Sequence, residues 1–324
     1  MGPDSLNHPL RTIFCGTPQF AAKILSSLHS APEVALQAVL TQPDRKQGRG
    51  QKKIQPSPVK ELAQEQGLQV LQPASLQEAQ TLARLRDLAP DLILVAAYGL
   101  ILPKQVLSLP QLGAINVHAS LLPKYRGAAP IQRALQNGEQ ATGISIMQMT
   151  QGLDCGPILR QKALAIGIQD TTQSLEQELA RMGASLLQEA IKGLLQQEIV
   201  PIEQDESRAS YAPMVRKQEG HIPWERSAWE VHNHIRAMQP WPGAFFDCAL
   251  PGREQRLRLT VYPGQIGPEL LEKHQPGTIL GLQENSLAIA CRDRVYLLPW
   301  IKASGGKILS ARDFCHGYLK TSGT

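Results

Sequence analysis

Apolar positions along the chain follow two regimes. Through about residue 200, short apolar runs alternate with stretches whose apolar residues recur at helical spacing. Leu10–Cys15 and Val34–Thr41 read as strands, and Pro18–Ser30, with Phe20, Ile24, Leu25 and Leu28 on one stripe, reads as a helix. Ser57-Pro58 predicts a helix start, with an N-cap hydroxyl and a first-turn proline. Ser75-Leu-Gln-Glu78 fits a capping box for a helix running through Leu88. Leu92–Ala97 is continuously apolar, as expected of a parallel strand buried on both faces. Ala114–Val117 and Gly143–Met149 add two strands around a helix at Pro130–Gln136, and a long helix spans Thr172–Gln196. This alternation predicts an α/β fold, a doubly wound Rossmann-like N-terminal domain over 1–200.

Beyond it the pattern shortens. Residues 201–214 are polar and proline-bearing and read as a linker. Ser227-Ala-Trp-Glu230 then caps a helix to about Met238. Five β-like segments follow at Ala244–Leu250, Arg256–Tyr262, Thr278–Leu282, Ser286–Arg292 and Arg294–Trp300. Their spacing suits a smaller C-terminal β-barrel, OB-like, over 215–324.

A length of 324 residues agrees with two domains, and 42% hydrophobic residues can fill their cores. No apolar run is long enough to cross a bilayer, and no signal peptide is expected ahead of Leu10. Five cysteines without a Cys-x-x-Cys pair argue against a disulfide framework or zinc knuckle, so a cytoplasmic setting is expected. The net charge of +5 is unevenly distributed. Basic and acidic residues number 18 and 18 over 1–207, but 15 and 10 over 208–324. A polyanion partner and a plain solvated basic surface explain that surplus equally well.

The chemistry enters where the strand pattern is broken. Asn116 and His118 stand two apart on a strand and so share one face, opposite Ile115 and Val117. The first βα turn has Gly16 but not the Gly-x-Gly-x-x-Gly of dinucleotide sites. Ligands of such sheets bind outside the carboxyl ends of the strands, where Tyr98-Gly99, His118-Ala-Ser120 and Gln151-Gly-Leu-Asp154 are expected to converge. Asn116, His118 and Asp154 offer no nucleophile, and Cys155 stands beside a carboxylate that disfavours its thiolate. One histidine and one aspartate make no zinc site, so no metal is expected. The trio suits attack on a carbonyl by an external nucleophile: an amide donor and a protonated imidazole for the oxyanion, and a carboxylate beside them. Singly, a satisfied buried histidine and a turn aspartate are the ordinary readings; together the three favour catalysis.

Asn116-Val-His118, Ser120-Leu-Leu-Pro123, Arg126-Gly127 and Gly152-Leu-Asp154 together resemble the 10-formyltetrahydrofolate-dependent formyltransferases and hydrolases. Thr41-Gln-Pro-Asp-Arg45, Gly48-Arg-Gly50, Pro56-Ser-Pro-Val-Lys60, Ala97–Pro103 and Gly127–Arg133 resemble the members acting on a charged tRNA. The likeness is dense over about 10–200. It thins towards 320, where Ile222-Pro-Trp224 and Ile235–Trp241 carry it.

The resemblance implies that Asn116, His118 and Asp154 are catalytic, that Ser120, Leu121, Leu122 and Pro123 form a folate-binding loop, and that Leu100 and Leu102 wall the pterin pocket. The implied reaction moves the formyl group of 10-formyltetrahydrofolate, as co-substrate, to the free amine of initiator methionyl-tRNA, without a metal. Ala119 stands where many relatives carry glycine. Arg45, Lys46, Arg49, Lys52 and Lys53 form an acid-free stretch that reads either as a solvated loop or as a nucleic-acid contact. By resemblance Arg45, Lys46 and Arg49 bind tRNA. Trp224, Trp229, Trp241 and Trp300 are expected in packing rather than base stacking, and the chain is expected to act as a monomer. Other readings are a sugar-nucleotide formyltransferase, a formyl-folate hydrolase and a non-catalytic RNA-binding protein.

Overall fold

A computed structural model describes residues 8–47, 53–249 and 255–319. The first part runs β1 (Leu10–Gly16), α1 (Gln19–Leu28), β2 (Val34–Leu40), β3 (Arg45–Gln47), β4 (Lys53–Gln55), α2 (Pro58–Glu65), β5 (Val70–Leu71) and α3 (Ala79–Asp87). It continues through β6 (Leu92–Ala96), α4 (Lys104–Leu107), β7 (Ala114–His118), α5 (Pro130–Gln136), β8 (Ala141–Gln148), β9 (Ile158–Ala165) and α6 (Thr172–Leu195). Seven strands form one sheet in the order β5-β2-β1-β6-β7-β8-β9. The first five are mutually parallel, with β6 buried at every position, while β8 and β9 are antiparallel to their neighbours.

The two faces of β7 are treated differently. Ala114 joins the core cluster of Val95, Leu102, Val106 and Leu85. On the opposite face Gly183 of α6 lies so close that a Cβ there would stand 3.0 Å from Val117 Cγ1. Asn116 and His118 therefore continue the Ala114 face.

Two expectations fail locally. Ser57 caps α2 as its sequence implies, accepting from Lys60 N at 3.0 Å. The Ser75–Glu78 box does not form: Ser75 Oγ accepts from Gln77 N at 3.2 Å and α3 starts only at Ala79. Leu76 between them packs in the core cluster. The strand β9 was not expected at all. Its middle residues are mostly exposed, so no apolar run announced it.

The chain divides into two compact units. One comprises Met1–Pro130, Ala141–Ala165 and Glu176–Pro213; the other comprises Ile131–Gln140, Ile166–Leu175 and Met214–Thr324. The second unit carries α7 (Ala228–Ala237), whose Ser227–Glu230 capping box forms as expected. Its strands are β10 (Ala244–Cys248), β11 (Leu257–Val261), β12 (Gln265–Glu269), β13 (Ile279–Gln283), β14 (Ser286–Ala290), β15 (Arg294–Leu298), β16 (Trp300–Ala303) and β17 (Ile308–Ser310). They make two antiparallel sheets, β10-β11-β16-β17 and β12-β15-β14-β13. Short helical turns close the unit over Ala311–Phe314 and Cys315–Leu319. The packing expected for the tryptophans holds only for Trp224, 6% exposed; Trp229, Trp241 and Trp300 are 44%, 55% and 51% exposed.

Candidate active site

β6 and β7 lie side by side and parallel, with Val95 opposite Asn116, so both chains leave the sheet at the same edge. After β6 the backbone turns through positive φ at Ala97 and Gly99. Tyr98 is buried, and its carbonyl accepts from Thr17 Oγ1 at 2.8 Å and Gln42 Nε2 at 3.0 Å. A Cβ on Gly99 would lie 2.2 Å from that Gln42 nitrogen, so only glycine lets the pieces meet. Beyond it, Leu102 sits in the core cluster and Leu100 packs partly against it, while Ile101 between them is 89% exposed.

After β7 the segment 120–123 is tied down by side chains from two strands. Ser120 Oγ donates to Lys124 O at 2.8 Å. Ser145 of β8 donates to Ser120 O at 2.7 Å and accepts from Leu122 N at 3.1 Å. Gln161 of β9 donates to Leu122 O and to Ser145 Oγ. Ser120 and Leu122 face inward and are buried, leaving Leu121 and Pro123 half-buried. Leu121 docks against Gly143, where a Cβ would come within 2.5 Å of its Cδ2.

The third element arrives by another route than expected. Because β8 runs antiparallel to β7, Met149 is bonded to Ala114, at the far end of β7 from His118. Residues 150–157 fold back across the face that Asn116 and His118 present, which brings Asp154 to them. Asn116 Nδ2 lies 3.4 Å from Asp154 Oδ1, and His118 Nδ1 lies 3.6 Å from Asp154 Oδ2. Both neighbours are buried, Asn116 to 8% and His118 to 5% exposure.

Backbone groups set the orientation. His118 Nε2 is 2.9 Å from Tyr125 O, and a carbonyl only accepts, so Nε2 carries a proton and Nδ1 faces the carboxylate. Gly127 N donates to Asp154 Oδ2 at 2.8 Å. Asp154 itself holds φ +48°, a left-handed conformation that costs a non-glycine residue about 1 kcal/mol or more. Gln204 holds the strained turn by donating to Asp154 O at 2.9 Å and Gly156 O at 2.7 Å. The long contacts leave the Asn116 amide able to donate to a further acceptor and His118 Nδ1 without a closed hydrogen bond. Such an array can stabilise negative charge developing on one oxygen and pass a proton beside it.

Ser145, Gln161 and Gln204 were not anticipated. Ser145 carried a faint signal, as a hydroxyl between Ile144 and Ile146 in a buried strand; Gln204 carried none. Cys155 Sγ is 3.4 Å from Thr150 Oγ1 and outside the trio's contacts.

The basic stretch is in part a hairpin, β3 pairing antiparallel with β4. Its base is anchored through Asp44, which meets Lys60 Nζ at 2.6 Å and Gln72 Nε2 at 2.7 Å; the Lys60 contact holds the Asp44 carboxyl below its usual range. Arg45 is exposed, Lys46 lies on β3, and Arg49 falls outside the described residues. Among the described residues, no group of three or more His, Cys, Asp or Glu side chains is arranged to hold a metal ion.

Residues 10–191 match the family model for formyl transferase, and residues 214–319 match that for the formyl transferase C-terminal domain. A methionyl-tRNA formyltransferase of Nitratidesulfovibrio vulgaris is 47% identical over 311 residues, covering 96% of this chain and 94% of that protein. One from Caldicellulosiruptor saccharolyticus is 42% identical over 316 residues, covering 94% and 96%. Among solved structures, an N-formyltransferase of Helicobacter canadensis, in complex with folinic acid and dTDP-3-aminofucose, superposes with a TM-score of 0.61 at 18% identity, covering 89% of this chain and 98% of that one. HypX of Aquifex aeolicus, in complex with tetrahydrofolic acid, gives 0.59 at 17% identity over 94% of this chain, which spans only 47% of that protein. At these identities the two structures share the fold.

Proposed function

The chain belongs to the formyl transferase family, and from that premise we infer that it transfers the formyl group of 10-formyltetrahydrofolate to the free amino group of initiator methionyl-tRNA, supplying N-formylmethionyl-tRNA for translation initiation. The observation that supports this reading most is the meeting of Asp154, from the turn after β8, with Asn116 and His118 of β7 at 3.4 and 3.6 Å over one sheet face.

The folate fits the chain's own groups. Its flat ring system has polar edges and apolar faces, and the 100–102 segment makes no backbone hydrogen bond to other described residues while exposing Ile101 beside Leu100 and Leu102. By resemblance Ser120, Leu121, Leu122 and Pro123 form the folate-binding loop on the adjacent strand end, and of these Leu121 and Pro123 are only half-buried. The folate supplies the activated formyl carbon.

The chain does the rest. As the methionyl amine forms its bond to that carbon, Asn116 Nδ2 and protonated His118 Nδ1 donate to the oxygen taking up charge. Asp154 accepts the proton that the attacking nitrogen loses, and that proton then goes to N10 as its bond to carbon breaks. No net proton is gained or lost. Arg45, Lys46 and Arg49 meet the tRNA backbone, and the basic surplus of 208–324 adds further phosphate contacts. All three catalytic groups come from one chain, so a monomer suffices. Five free thiols suit a reducing cytoplasm.

Purified protein given 10-formyltetrahydrofolate and methionyl-tRNA is expected to yield the N-formylated aminoacyl ester, detected after deacylation. Formate release independent of tRNA would make it a hydrolase instead. Absence of both products would leave only a folate-shaped scaffold.

A further inference from the structure

The polar chain running behind Asp154 ends in a group with no evident reason to be there. Arg126 is 1% exposed, and such a cation needs compensation. Its guanidinium donates to Glu206 Oε2 through Nη1 at 2.9 Å and to Glu206 Oε1 through Nη2 at 2.8 Å. It also donates to Gln204 Oε1 twice, from Nε at 3.1 Å and Nη2 at 2.8 Å. The Glu206 carboxylate keeps the guanidinium charged, raising its pKa further above the ordinary value.

These bonds settle which way the Gln204 amide faces. A guanidinium only donates, so it selects the amide oxygen and leaves the Nε2 hydrogens pointing the other way. Both are taken by main-chain carbonyls of the catalytic turn, those of Asp154 and Gly156. The same Arg126 directly precedes Gly127, whose N–H holds the Asp154 carboxylate. Backbone bonds from Arg126 to Ser210 and Ala212 tie that peptide to the strip carrying Gln204 and Glu206. The backbone and the carboxylate of Asp154 are thus gripped from one source, at a residue whose φ of +48° would otherwise relax.

We propose that Gln204, oriented by buried Arg126 and its exposed partner Glu206, is a positioning residue for the reaction, holding the Asp154 turn so that the carboxylate stays within reach of His118 and Asn116. Gln204 touches no reacting atom. Its effect passes through the placement of Asp154, and the proposal rests on the formyl-transfer reading above.

The test is a double-mutant cycle on the full-length protein with 10-formyltetrahydrofolate and methionyl-tRNA. Gln204→Leu keeps a side chain of similar size and removes both the amide oxygen and the amide nitrogen. It is expected to lower kcat roughly 10- to 100-fold, the range for misplacing a catalytic group by about an ångström, with KM for either substrate changed less than about twofold. In an Asp154→Asn background, where the carboxylate is already lost, the same substitution is expected to lower kcat further by less than about twofold. Equal losses in both backgrounds, an effect confined to KM, or an unchanged kcat would overturn the proposal.

Should Gln204→Leu not fold, Gln204→Glu gives the same information. It keeps an oxygen for Arg126 but turns a second oxygen on two carbonyls. Its kcat relative to wild type is expected to be low at neutral pH and to recover as acid protonates the new carboxyl; a ratio independent of pH overturns the idea. If the wild type itself formylates nothing, the functional reading has failed, which is distinct from a working wild type indifferent to Gln204.

Discussion

Two buried histidines, one in each unit, start from the same arrangement and end in different chemistry. His118 places Nε2 2.9 Å from Tyr125 O, and His232 places Nε2 2.7 Å from Ile168 O, so in both rings a main-chain carbonyl selects the Nε2–H form. What faces Nδ1 separates them. For His118 it is a carboxylate at 3.6 Å, too long to be a closed hydrogen bond. For His232 it is the Tyr296 hydroxyl at 2.9 Å, whose oxygen also accepts from Gly264 N at 3.0 Å. The second ring is saturated and locked neutral, with burial pushing its pKa down. The first retains one uncommitted position beside an acidic partner. The loose end of the hydrogen-bond chain is what leaves one buried imidazole open to a further partner while the other is closed.

The contrast is broken most severely by removing the acidic partner. Asp154→Asn is expected to lower kcat by roughly 10²–10⁴, the usual range for lost acid–base function, and near-normal turnover would remove Asp154 from the reaction. Asn116→Ala is expected to cost about 10²–10³ in kcat if its amide supports the oxyanion; a change confined to KM would make it a binding residue. On the locked side, Tyr296→Phe leaves His232 Nδ1 and Gly264 N without their partner. Denaturant melts should show a loss of about 1–3 kcal/mol with kcat retained, whereas lost activity in folded protein would connect this network to the chemistry.

Acid should act on the same side. His232 and its neighbour His234, the latter pushed down to about 4 by burial, bind protons less readily folded than unfolded. The unfolded chain therefore gains protons first as pH falls below the ordinary histidine value of 6.5, so stability should decline from there towards pH 4. Flat unfolding free energy over that interval would contradict it. The smallest effect lies away from both rings. Arg45→Ala should raise KM for methionyl-tRNA several-fold at low salt, less at high salt, and leave KM for the folate unchanged. Equal changes for both substrates would make the hairpin a structural element.

How much of this was legible follows from what kind of information each feature needs. β6 announced itself by an unbroken apolar run, and Asn116 with His118 by polar residues inserted into another. The Ser227–Glu230 cap formed and the Ser75–Glu78 one did not, though their local signals are alike and Ala228 and Leu76, the second residues of the two, are both buried. Strand direction is likewise invisible in a hydrophobic pattern, so Asp154 was expected at a shared strand edge and instead folds back over the sheet face. Gln204 was unreadable because its role depends on three partners remote in sequence. The tryptophans misled because an indole is large enough to be anchored by one edge and exposed by the other.

The antiparallel ladder between β7 and β8 acts as a ruler for the site. His118 pairs with Ser145, and that hydroxyl also fastens the segment after β7 and the side chain from β9. A slip of two residues along this ladder would preserve every inward and outward side chain while sliding the Asp154 turn about 7 Å. One small hydroxyl, bonded in three directions, therefore fixes the longitudinal scale on which the two halves of the centre are brought opposite each other.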